Sequence, residues 1–205
     1  MYNCAMCGIN ACKKGLKNAP KGCPSFDERI NKLNELYKIE GNKTIGKTAA
    51  EVAEIKTMTR IEETMEFARR CNYKKIGIAF CSALIKEAAI IDKIFIANGF
   101  ETESIICKIG SSSKAVVGME GSKAPICNPI VQAKFLNEQK TEFNVVVGLC
   151  VGHDSLFYKN SEAPVTTLIV KDKVLAHNPV GAIYMAESYY KNKLYPNSNT
   201  YAEGT

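Results

Sequence analysis

The sequence has no tryptophan and only two histidines, and no apolar run approaches the ~18–20 residues that a membrane-spanning helix needs. Its first residues, MYNCAMCGIN, show no basic stretch followed by an apolar one, so no secretory leader is read there. Neither a GxGxxG dinucleotide fingerprint nor a GxxxxGK[ST] phosphate loop occurs, which argues against a tightly held nucleotide. Internal repeats are lacking. The net charge of +6 is spread along the chain apart from Lys13, Lys14, Lys17 and Lys21, with no aromatic–basic stripe beside it. The expectation is therefore no nucleic-acid partner and no membrane.

What the chain does have is thiols: nine cysteines in 205 residues. An odd number of cysteines, without a leader, points to the reducing cytoplasm, where disulfide frameworks are rare. Metal ligation or thiol chemistry is the better expectation. With 46% hydrophobic and 23% charged residues, the chain can build a packed core. Its length suits one large domain, or one domain with a small module.

Residues 1–24 stand apart. Cys4, Cys7, Cys12 and Cys23 lie among Gly8, Gly15, Gly22, Pro20 and Pro24 with no helical or strand period. Ser25 to Glu28 fits a capping box for a helix with Ile30, Leu33, Leu36 and Tyr37 on one face, ended by Gly41. Thr48 to Glu51 fits a second box, for a helix whose apolar positions run from Val52 to Ala68. From residue 74 the pattern alternates: strands at 74–81, 102–109, 143–150 and 165–171, with helices at 82–98 and 128–139. A short partner strand, KVLAH, and a last helix at 179–190 follow. Such alternation predicts a three-layer α/β domain with a mostly parallel sheet, preceded by a small cysteine-rich metal-binding module and two helices. The expected divisions are a module at 1–24, a helical segment at 25–72, the α/β domain at 73–192 and a polar tail at 193–205.

Cys4-x2-Cys7-x4-Cys12-x10-Cys23-Pro24 supplies four soft thiolates within twenty residues. Thiolates suit zinc or iron–sulfur clusters, and a C-x2-C pair lets one turn present two sulfurs to one centre. The wide last gap and the final Cys-Pro favour a cluster, 4Fe–4S in type, with zinc as the alternative. The nearby lysines would offset the charge of four thiolates.

A second group is spread through the α/β region: Cys81, Cys107, Cys127 and Cys150, with His153 three residues after the last. Strand ends of a parallel sheet share one edge, where ligands bind, so these residues are expected to converge there as a second metal site. Cysteine is also a common small buried residue in strands, and that is the competing reading for each of them. Cys71, after a helix, reads as structural. Asp154 reads as a helix cap, and His177 as a turn residue.

The blocks CAMCG, GCP, AFC (79–81), CKIG (107–110), CNP (127–129), GLCVGHDSLF (148–157) and APVTTLIVKDKVLAHNPV (163–180) cover nearly the whole chain. On them the chain resembles a family catalogued as uncharacterised metal-binding proteins, a domain of unknown function found mainly in anaerobic bacteria and archaea. The resemblance implies metal binding through these cysteines and names no reaction. Three functions compete. The first is an iron–sulfur protein with two cysteine sites and a redox role, served by a redox partner protein or a small-molecule substrate. The second is a zinc-binding structural or sensing module. The third is thiol catalysis, with Cys150 as nucleophile and His153 as base.

Overall fold

A computed structural model describes residues 3–196. The chain divides into two compact units, Met1–Ile55 and Lys56–Thr205. Of the expected polar tail, residues 197–205 lie outside the described residues.

In the first unit, short turns of tight helix at Cys4–Met6, Ala11–Lys14 and Pro24–Phe26 lead into α1 (Arg29–Asn34), a further tight turn and α2 (Glu40–Ala53). The helix boundaries differ from the sequence reading. Ser25 sits inside a tight turn behind Pro24 and caps nothing, and Thr48 lies in the interior of α2. Gly41 does not end a helix. Stopping there requires left-handed backbone, which Gly41 does not adopt, and it lies instead in the first turn of α2. The Tyr37 ring lies 3.0 Å from where a Cβ on Gly46 of α2 would stand.

The second unit opens with α3 (Arg60–Arg70). Here a capping box does form: the Thr59 and Glu62 side chains each take the other's backbone N–H. Then come β1 (Lys75–Phe80), α4 (Ile85–Ala97), β2 (Glu101–Ile106), α5 (Pro129–Glu138), β3 (Phe143–Val147), α6 (His153–Asn160) and β4 (Val165–Ile169). All four strands are parallel, in the order β2-β1-β3-β4. The α/β expectation holds. Central β1 and β3 are almost wholly buried and apolar apart from Lys75 and buried Asn144; edge strands β2 and β4 are half-buried and more polar.

Helices cover both faces. On one, Met65 and Ala68 of α3 and Ala88, Ile91 and Phe95 of α4 pack on Ile76, Ile78, Val145 and Val147. On the other, Ala133 and Leu136 of α5 and Phe157 of α6 pack on Ala79 and Val146, with Cys81 and Cys107 in the same cluster. One irregularity breaks the ladder. Thr167 stands opposite Val146 and Ile169 opposite Val147, so β4 carries Leu168 as an extra residue.

KVLAH forms no strand. Asp172 Oδ1 accepts the N–H groups of Val174 and Leu175, and the Asp172 N–H donates to His177 Nδ1 at 3.1 Å. Ala176 and His177 have φ of 49° and 65°, left-handed backbone that no strand tolerates. The last helical stretch is also shorter than expected: α7 (Val180–Tyr184), then turns, then α8 (Lys191–Leu194). Among the described residues, no helix is long and apolar enough to cross a membrane.

Candidate functional site

In the first unit, Cys4, Cys7, Cys12 and Cys23 line one cavity of about 180 Å³ together with Asn3, Asn10, Pro20, Lys21, Gly22 and Pro24. The backbone bends sharply to bring them there. Asn10, Gly15, Leu16, Asn18 and Gly22 all have left-handed φ. The Cys7 N–H donates to the Cys4 carbonyl, and the Cys23 N–H to the Pro20 carbonyl. Cys12 Sγ lies 3.7 Å from Ser25 Oγ. The Ser25 hydroxyl, and then its N–H, hold the Cys23 thiol below its ordinary value. Four thiolates are a donor set for zinc or for an iron–sulfur cluster. A single zinc with ~2.3 Å bonds needs its sulfurs about 3.8 Å apart. Among the described residues, no three Cys, His, Asp or Glu side chains close on one point in that way. The volume is several times the ~30 Å³ of a water molecule, so it fits a group of several atoms.

In the second unit, the carboxyl ends of the strands carry the other thiols. Phe80 and Ile106 are register partners, so Cys81 and Cys107 are the next pair along β1 and β2. The register holds that far: the Cys107 N–H donates to the Phe80 carbonyl at 2.8 Å, and the Cys81 N–H to Val147 at 3.0 Å. The turn after β1 points amides at both sulfurs. The Ser82 N–H donates to Cys107 Sγ at 3.3 Å, and the Ala83 N–H to Cys81. Cys127 packs beside Cys107, tethered by the Asn128 N–H to the Cys107 carbonyl at 2.7 Å. Asn128 then caps α5 through its side chain. Buried Gln132, one turn into α5, donates its Nε2 to the carbonyls of Phe80 and Ile105 and so ties the ends of β1 and β2 together. Its Oε1 has no partner.

The two register partners have opposite electrostatics. Burial works against ionising Cys81, but the Ala83 amide, the Lys171 ammonium and the Cys107 thiol outweigh it and hold its thiol below the ordinary value. Burial pushes Cys107 up to about 11 against the help of Ser82, and Cys127 beside it pushes the same way.

Lys171 is the residue the sequence reading missed. It lies two residues beyond β4, and its Nζ donates to Cys81 Sγ at 3.3 Å. β3 stands between β4 and β1, so the lysine has to cross it. It does so over Gly148, where a Cβ would make an ordinary 3.7 Å contact with Lys171 Cδ but would overlap Leu84 Cδ1. Gly148 has φ of 66°, a conformation other residues resist.

Cys150 and His153 are placed differently. β3 ends at Val147 rather than at Cys150, so Cys150 lies in the loop beyond it, where its carbonyl accepts the N–H groups of His153 and Asp154. Among the described residues, no hydrogen bond joins the Cys150 sulfur to the His153 ring. Asp154 Oδ1 accepts from the Gly152 and Ser155 amides at the start of α6. Cys71 is buried at the end of α3. Lys108 Nζ donates to the Pro125 carbonyl, holding the loop between β2 and α5.

Residues 23–168 match the family described as a protein of unknown function, DUF1847. An uncharacterized protein of Methanocaldococcus jannaschii is 44% identical to this chain over 197 residues, spanning 93% of this chain and 97% of that one. The matched segment holds Cys81, Cys107, Cys127, Cys150 and His153. Of the first group it holds Cys23 alone.

Proposed function

The chain belongs to the DUF1847 family, a family of unknown function, and on that footing we propose that it is a metal-binding protein with a redox role. Its centre is an iron–sulfur cluster of 4Fe–4S type held by Cys4, Cys7, Cys12 and Cys23. The observation that carries this reading is the single cavity of about 180 Å³ lined by all four thiols. When bound, such a cluster takes up and gives back single electrons. The chain's own part is to ligate it, to favour ionisation of Cys23 through Ser25, and to offset charge with Lys21 and the neighbouring lysines. A redox partner protein or a small substrate exchanges electrons with it.

Anaerobic loading with iron and sulfide tests the assignment. The expected result is a brown protein with about four iron and four sulfide per chain. The colour should be lost when Cys4 and Cys7 are both changed to Ser. A chain lacking residues 1–24 should unfold cooperatively and bind no cluster. A colourless protein holding one zinc after anaerobic purification would overturn the reading in favour of a structural zinc module.

A further inference from the structure

We propose that Cys81 and Cys107 form a thiol–disulfide exchange couple, in which Cys81 takes up a small disulfide and Cys107 resolves it. The inference goes beyond the metal centre and does not depend on it.

The placement of the pair carries it. Register partners on adjacent strands stand about 4.8 Å apart at Cα and point to the same face. That lies inside the ~4.4–6.8 Å range of disulfide-bonded cysteines. Both are free thiols within one packed cluster. The surroundings give each a separate task. Cys81 is the more accessible, at 7% against 2%, and the Lys171 ammonium stands 3.3 Å from its sulfur. Cys107 lies deeper and takes the Ser82 N–H. The stem of Lys171, two residues beyond β4, passes over Gly148 at the end of β3 to reach a thiol beyond β1.

The reaction balances with a small disulfide R–S–S–R as the co-reactant. The Cys81 thiolate attacks one sulfur, forming Cys81–S–S–R and releasing RS⁻. The released RS⁻ takes the Cys107 proton, and the Cys107 thiolate attacks Cys81 Sγ, forming the Cys81–Cys107 disulfide and releasing a second RS⁻. Two electrons pass from the protein sulfurs to the small disulfide, and the reverse reaction restores the dithiol.

The full-length chain is incubated with excess oxidised glutathione, quenched in acid, alkylated and digested without reduction, and its cross-linked peptides are identified by mass spectrometry. The expected product joins Cys81 to Cys107. Cys107→Ser should accumulate a glutathione adduct on Cys81, because nothing resolves it. Lys171→Met should slow formation of the bond by about five- to tenfold. Mapping the unaltered chain needs no variant to fold. A wild-type cross-link between Cys107 and Cys127, or no bond at the sheet edge, would overturn the couple. An unchanged rate in Lys171→Met would overturn the lysine's part in it.

Discussion

Cys4, Cys7, Cys12 and Cys23 sit in a segment whose only buried residue among those described is Ala11, and short turns with left-handed backbone bring them together. Cys81 and Cys107 sit at the ends of strands locked in register beneath two helices. The same side chain is thus held in two ways. In the first unit, ordering the loop costs backbone entropy that little apolar burial offsets, and under the proposed function a bound group would supply the difference. At the sheet edge the hydrophobic core has already fixed the sulfurs, and the local amides and lysine decide their chemistry.

The largest effect that sharpens this contrast comes from glycine. Gly148→Ala forces a Cβ onto Leu84 at a left-handed φ, and is expected to lower stability by about 3–4 kcal/mol in urea unfolding. Gly22→Ala has the same backbone requirement, with nothing within 4 Å of its Cβ, and should cost only about 1 kcal/mol. Equal costs would break the idea that only the sheet edge is rigidly packed.

The second effect is electrostatic. Because the folded chain holds the Cys107 thiol up at about 11, the unfolded chain releases this proton first as pH rises. Its contribution is therefore fully present below about pH 9 and fades through about pH 11, a loss of about 2–3 kcal/mol. Half-buried Tyr73 is raised too, mainly by desolvation, and falls off in the same direction. The measurement is consequently the difference between the unaltered chain and Cys107→Val across that range. A constant difference would mean that Cys107 is not desolvated.

The smallest effect belongs to the first unit. Ser25→Ala removes the hydroxyl that favours the Cys23 thiolate, and should slow its alkylation in the metal-free chain by about two- to threefold near neutral pH. An unchanged rate would leave Ser25 no part in preparing the site.

Local pattern made the strand ends legible. The apolar runs around Ile78, Ile105 and Val146 fixed the parallel sheet, and with it the meeting of Cys81, Cys107 and Cys127. What escaped depended on contacts between segments far apart in the chain. Three Ser/Thr-x-x-Glu sequences, at 25, 48 and 59, are alike on paper, yet only Thr59 caps a helix, because the packing of α3 decides where that helix begins. Cys150 read as a strand end, but the left-handed turn at Gly148 closes β3 sooner. Gln132 carries no signal within its helical stretch, yet it is buried against two strand carbonyls. Lys171 read as the last residue of a strand. Its partner lies 90 residues away, across the end of β3.

Leu168, the extra residue in β4, acts as a phase shift. Successive side chains of a strand alternate between its faces, so one inserted residue reverses the parity of every position that follows. Lys171 lies downstream of that insertion. Deleting Leu168 would leave the lysine, its charge and its neighbours in sequence untouched, yet turn its stem half a rotation away from the path over Gly148. The thiol on β1 would lose its counter-charge through a change in counting alone.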